Sequence, residues 1–394
     1  MPQVDFSDTK IAFADKSDAE LQRSHFLFSL MNYPFLVKIG TRIATLALQL
    51  RLPVEGLVKA TIYRQFCGGE DIEEARRVID KLGESNIKTI LDYGVEGKES
   101  EADFDRTAAY LAQTLEYARE DEDIHIISTK LSGLFRFELL EKVSAEAPLT
   151  EAEAEEYERG KARVGRICKA AFESNIGIHI DAEHSWIQGA VDEIAWEMSR
   201  RYNRKKPIVI NAVQLYRKGR LQFLKASLVD ARENGYLCAV KLVRGAYMEK
   251  ERARARALGY PSPIHDSLRD THQAYNQALR FCIEHLGEMY VCNATHNEES
   301  CRYQAELMEE KGLEPGHPLV ATAQLYGMSD NLSYNMAKAG FNVEKYLPYG
   351  PVREVIPYLI RRTQENTSVE GQMSRELQLI RKELRRRRGE GAGS

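Results

Sequence analysis

Short β-rich runs alternate with long amphipathic stretches through most of this chain, and that alternation limits the fold more than any other feature. The β-rich runs are LVKATIYRQF, IKTILDYGV, IHIISTKLS, GIHIDAE, PIVINAVQLY, LCAVKLVRG, MYVCNAT and PLVATAQLYG. Between them lie helix-patterned segments such as DIEEARRVIDKLGES, ADFDRTAAYLAQTLEYARE and DSLRDTHQAYNQALRFCIEHLG. Most steps from one run to the next are about thirty residues, the length of a βαβ unit, with longer steps before the fourth and seventh. Eight such units favour a (β/α)8 barrel over an open doubly wound sheet. The glycine fingerprint GxGxxG is absent, which weakens the doubly wound alternative. The expected organisation is a helical arm over 1–55, with NYPFLVKIGTRIATLALQL its clearest helix, the barrel over 56–370, and a C-terminal helix and basic tail over 371–394.

The chain has 394 residues, 43% of them hydrophobic, enough for a large core. Its 55 Lys and Arg against 59 Asp and Glu leave a net charge of -4, which gives no general reason to expect a nucleic-acid partner. The exception is the tail, where Arg385 to Arg388 are consecutive. It reads either as a solvated helix end favoured by the helix dipole or as a peripheral contact for anionic lipid. The six cysteines show neither CxxC nor zinc-site spacing and read as reduced and buried. The N-terminus is acidic, lacks an apolar signal core and is not an arginine-rich transit peptide, and there is no apolar run of membrane-spanning length. A cytoplasmic location is the expectation from these features.

In such a barrel the active site lies at the C-terminal ends of the strands. The polar residues there are Asp92, Lys130, Asp181, Glu183, Gln214, Lys241, Arg244, Thr295, His296, Asn297, Gln324 and Tyr326. Taken singly, each reads as a cap or loop residue: Asn297 is placed to cap the helix that follows it, and Asp92 to open a loop. LCAVKLVRG says more. Alternation puts Ala239, Lys241, Val243 and Gly245 on one face and Val240, Leu242 and Arg244 on the other, so Lys241 points into the barrel and needs a partner or a ligand. Lys130 and Asp181, on neighbouring strands, are placed to neutralise one another, as a structural pair or as part of a site. His179 shares a face with Asp181, yet no HxH or HExxH spacing supports a metal. A metal-dependent hydrolase using Asp181, His184 and His296 is the alternative enzyme class. A scaffold with a binding tail is the non-enzyme alternative.

Near the C-terminus, YLIRRTQEN reads as a helix with two stripes. Val352, Val355, Ile356, Leu359 and Thr363 form an apolar stripe, while Tyr358, Arg361, Arg362 and Glu365 fall within about 100° of arc beside it. One reading is an exposed salt-bridged face worth only ~0.3–0.5 kcal/mol per pair. The other is a carboxylate clamp, with guanidinium forks held in register by Glu365. Spacing alone leaves both open.

The motifs TKLSGL, IDAEHS, VKLVRGAYMEKERARA, ATHNEES, QLYGMSD and KYLPYGPVREVIPYLIRRTQENTS, in that order, resemble the proline dehydrogenase family in its monofunctional form. The resemblance runs from about residue 57 to the basic tail. It implies a distorted (β/α)8 barrel whose last helix lies over the mouth. It also implies FAD-dependent oxidation of L-proline to Δ1-pyrroline-5-carboxylate, with hydride passing from proline C5 to flavin N5 and a membrane quinone as electron acceptor. It places Arg361, Arg362 and Lys130 on the substrate carboxylate, with Glu365 orienting the arginines and Asp181 pairing with the basic groups. Tyr346, Leu325 and Tyr358 would line the proline pocket. Lys241 would lie beside the flavin ring with Gln214, while Val243, Gly245 and Ala246 supply backbone contacts and Thr295, His296 and Asn297 reach the ribityl and diphosphate. Thr271 is matched by spacing alone, and no metal is implied. The chain departs from bifunctional members in having Met248 where they carry Trp. Tyr346 would crowd C4 of the ring, so proline is expected over 4-hydroxyproline.

Overall fold

The computed structural model describes residues 4–33, 35, 37, 40, 42, 55–94, 99–368 and 372–389. Eight strands close into a barrel in chain order: β1 Ile87–Tyr93, β2 Ile124–Lys130, β3 Gly177–Asp181, β4 Val209–Gln214, β5 Cys238–Val243, β6 Met289–Ala294, β7 Val320–Leu325 and β8 Val343–Tyr349. The registered pairs from β1 to β7 are all parallel, and helices separate the strands. This is the (β/α)8 fold that the alternation implies. Where strands are covered by helices outside and filled inside, they read as near-continuous apolar runs, and β3 to β6 have almost every residue buried.

Two of the expected assignments change. LVKATIYRQF is not a strand: Glu55–Val58 and Arg64–Phe66 are α-helical, joined by a π-helical turn Lys59–Tyr63. Val58, Ile62 and Phe66 recur every four residues and pack in an apolar cluster with Met328, Val355 and Leu359, so helical periodicity outweighs the β-branched composition. The strand completing the eight is VEKYLPY, which carries Glu344, Lys345 and Pro348. All seven of its residues are buried, and its charges and proline disguise it.

The chain divides into two compact units. One comprises Thr89–Tyr93 and Gly97–Ala323; the other comprises Pro2–Lys88, Gly94–Glu96 and Gln324–Ser394. In the second unit the arm helices Thr9–Ala12 and Asp18–Met31, the helix Val352–Ser368 and the C-terminal helix Gln372–Arg387 share one apolar core that includes Phe13, Leu21, Phe28, Ile356 and Ile380. Ser17 and Glu20 close a capping box at the start of Asp18–Met31. The expected arm helix NYPFLVKIGTRIATLALQL lies largely outside the described residues. Arg387 donates to Phe13 O at 2.8 Å, to Lys16 O at 2.7 Å and to Asp18 at 2.8 Å. Both Arg386 and Arg387 also pair with the buried Glu383 at 2.7 Å. Half of the basic run is therefore engaged within the chain.

A buried ionic centre ties this unit together. Lys345 Nζ donates to Asp330 at 2.8 Å and to Met328 O at 2.7 Å. The other Asp330 oxygen takes Lys16 at 2.9 Å. Glu376, from the C-terminal helix, accepts the Ser329 N–H at 3.1 Å. Burial, and next the Asp330 charge, push the Glu376 carboxyl up to about 7, against the opposing pull of that N–H, Lys345 and Lys16.

Candidate active site

Strand register fixes which side chains face the interior of the first unit. Asp181 on β3 and Lys241 on β5 are ion-paired although β4 separates their strands, so both must point inward. Lys241 is in register with Ala212 and Cys292, and Cys292 with Ala321. Two residues away on the same faces stand Ala239 and Ala323. Barrels of this class fill such layers with Val, Ile and Leu. Here β4, β6 and β7 present alanine or cysteine in the Lys241 layer instead, while Ile210 and Tyr290 occupy the inward positions two residues below on β4 and β6.

The polar groups converge on the other side of that layer. Lys130 is in register with Asp181, yet the direct partner of Asp181 is Lys241, while Lys130 lies 3.9 Å from Asp92. This differs from a simple Lys130–Asp181 pair because two lysines and two aspartates share the strand ends. Burial by itself would raise the Asp181 carboxyl, but Lys241 and then Lys130 hold it down at about 2, so it stays ionised. Asp92 is a residue that sequence reasoning left as a loop opener. The signal was present, since it is a carboxylate next to the end of an apolar strand.

The residues matched to the flavin occupy the next strand ends of the same unit. Gln214 Nε2 donates to Glu183 O at 2.9 Å, and its Oε1 has no hydrogen-bond partner among the described residues. Gly245 has a φ of 133°, and a Cβ there would lie 2.4 Å from the Tyr216 ring, so only glycine fits. Arg244 forms a hub that the sequence did not single out. It donates to His272 Nδ1 at 2.9 Å, Thr295 Oγ1 at 2.5 Å and Ser300 Oγ at 2.9 Å. Asn297 caps the helix Glu298–Glu310 through Ser300 N at 2.8 Å. Thr271 is buried in the helix Leu268–Glu284, its hydroxyl 3.4 Å from Ser267 O. Val243 ends β5, Ala246 follows Gly245, and His296 stands between Thr295 and Asn297. The inward short side chains, the orphaned Gln214 oxygen and the exposed backbone at Gly245 together suit a flat, polar-edged ring system.

Apart from Lys130, the residues matched to the substrate lie in the second unit. Leu325 ends β7 and Tyr346 is buried within β8. Tyr358 is buried on the helix Val352–Ser368, in the apolar core, and the Arg362 guanidinium lies 5.3 Å from its ring centre. Arg361 and Arg362 are half-buried on the same helix. The Glu365 side chain lies outside the described residues.

A (β/α)8 barrel whose strand ends gather buried charges is an architecture common among enzymes that act on small molecules. The chain belongs to the proline dehydrogenase family, whose model, described as Proline dehydrogenase, matches residues 75–375, and it is an oxidoreductase acting on proline. Two Arabidopsis thaliana mitochondrial proline dehydrogenases are 32% and 34% identical, each over 98% of this chain and over 86% and 90% of their own lengths. A Xenopus laevis hydroxyproline dehydrogenase is 30% identical over 98% of this chain and 90% of its own. Among solved structures, proline utilization A from Bdellovibrio bacteriovorus inactivated by N-propargylglycine superposes with a TM-score of 0.72 at 18% identity, over 86% of this chain. The chain spans 35% of that protein's length, and the likeness shows the fold. The cytoplasmic expectation is overturned: relatives from Arabidopsis, Caenorhabditis elegans and Dictyostelium discoideum are named as mitochondrial. The metal-hydrolase alternative also falls with family membership. Asp181 is committed to Lys241, and His184 stacks on Trp186 with ring centres 4.3 Å apart.

Proposed function

We propose that the chain oxidises L-proline to Δ1-pyrroline-5-carboxylate with FAD as cofactor, and that a quinone takes the electrons onward. The observation that carries this reading is the run of short inward side chains, Ala212, Cys292 and Ala321, in register with Lys241. FAD bound there would accept the hydride from proline C5 at its N5. Lys241 supplies a fixed positive charge where negative charge develops on reduction, and Asp181 keeps that lysine in place. Gln214, Val243, Gly245 and Ala246 hold the ring, and Thr271, Thr295, His296 and Asn297 serve the chain beyond it. Arg361 and Arg362 grip the proline carboxylate as bidentate forks, oriented by Glu365 and assisted by Lys130. Leu325, Tyr346 and Tyr358 shape the pocket around the ring.

The test is optical. Purified protein should show flavin absorption that bleaches when proline is added without oxygen; a colourless protein, or a spectrum indifferent to proline, rejects the proposal. Tyr346 is proposed to exclude a 4-hydroxyl, a point sharpened by the hydroxyproline dehydrogenase among the relatives. Equal kcat/KM for proline and 4-hydroxyproline would reject that role.

A further inference from the structure

Below the Asp181–Lys241 pair runs a row of inward polar residues to which the proposed reaction gives no task. Asp92, Ser128 and His179 stand in register across β1, β2 and β3. Ser128 precedes Lys130 by two residues and His179 precedes Asp181 by two, so each lies under the charged group on its own strand. His179 is fully buried and Ser128 almost so. Among the described residues, neither ring nitrogen of His179 nor the Ser128 hydroxyl has a hydrogen-bond partner. Buried polar groups in native proteins are rarely left in this state without a use. The ionisable groups that face His179 are Asp181 on its own strand, Asp92 on β1, Lys130 on β2 and Lys241 on β5. Burial first, and then the Lys241 charge, hold the imidazole well below its ordinary pKa, while Asp181 pulls the other way. The ring is therefore neutral at rest, with a positive neighbour opposing its protonation and a negative one favouring it.

We propose that His179 is a redox-linked proton acceptor, taking up one proton when negative charge arrives beside Lys241. The inference rests on the flavin reading above. As hydride leaves C5 with its electron pair, the N–C5 bond becomes double, and the electrons and hydrogen pass to the flavin. One net negative charge then faces Lys241. The charge that repelled a proton from His179 is neutralised, and the proton that the product's ring nitrogen gives up on becoming an imine is matched by one bound at the imidazole. Withdrawal of the electrons by quinone restores the repulsion and releases the proton. His179 thus acts as a positioning residue for charge, without touching the substrate.

The test uses flavin-loaded enzyme containing isotope-labelled histidine, observed by NMR at pH 7 before and after anaerobic reduction by proline. Of nine histidines, one should pass from neutral to imidazolium. That signal should be shielded from a soluble paramagnetic agent, since His179 is the one buried histidine among the described residues. It should also be absent in His179→Asn, in which the pH slope of the flavin midpoint potential falls by half, one coupled proton of two being lost. If reduction converts no histidine, or converts one that the agent reaches, the proposal is overturned. The shielding criterion reads the wild-type protein and so survives a variant that fails to fold. If proline bleaches the flavin and no histidine responds, this inference alone fails; if there is no flavin to bleach, the functional reading fails first.

Discussion

Each unit of the molecule contains a buried ionic centre built from lysine and aspartate, and the two are finished differently. In the second unit the Lys345 and Asp330 side chains are 1% and 6% exposed, and main-chain carbonyls and Lys16 complete their bonding. In the first unit Lys130 and Asp181 are each 14% exposed, and the inward neighbours of Lys241 are alanine and cysteine. The closed centre joins β8, the helix Asp330–Lys338, the arm and the C-terminal helix. The open one sits at strand ends. Charges saturated by their own chain hold architecture, whereas a paired centre with partly exposed members at strand ends is placed to meet something that arrives and departs.

Asp330→Asn should give the largest effect. It leaves Lys345 and Lys16 without their carboxylate, at a cost of about 3–5 kcal/mol in urea unfolding. Asp181→Asn should lose less than half as much stability and instead lower kcat/KM for proline; if the two substitutions destabilise equally, the contrast between the centres is wrong. Arg361→Ala and Arg362→Ala should raise KM for proline by roughly 10–100-fold, the worth of a charged hydrogen bond, while flavin absorbance per protein is unchanged. Unaltered kinetics would return both arginines to an exposed salt-bridged face. Glu376 gives the smallest and most diagnostic effect. Its folded-state pKa of about 7 lies above the ordinary 4.5, so the stability it confers is fully present below about 4.5 and is lost as pH rises through 7. Glu376→Gln should therefore leave the melting temperature unchanged at pH 5 and raise it at pH 8, by on the order of 1–3 kcal/mol in stability. A gain of the same size at both pH values would exclude titration as the cause.

The barrel was legible because seven of its strands are apolar runs of the length a helix-covered strand requires. The eighth was not, because Lys345 and Glu344 look solvent-facing until Asp330, fourteen residues before Glu344, is brought to them by the fold. The opposite error at LVKATIYRQF has a similar root: β-branched residues favour strands, but the spacing of Val58, Ile62 and Phe66 suits a helix, and tertiary packing decides. At the candidate site, Lys241 could be read from alternation alone. Its actual partner could not, since Asp181 reaches across an intervening strand, and a choice between Lys130 and Lys241 depends on barrel curvature. Asp92 and Arg244 were passed over because polar residues at strand ends are common and only burial separates them from caps.

Arg387 clasps the carbonyls of Phe13 and Lys16 across as many as 374 residues of sequence. A ribosome adding ~5–20 residues per second needs roughly 20 to 75 s to make that connection possible. Throughout that interval the arm's Leu21, Phe28 and Met31 await the C-terminal helix against which they pack. The arm is thus made well before the helix that completes it. Until that helix emerges, the nascent chain carries an apolar liability that a chaperone is well suited to cover.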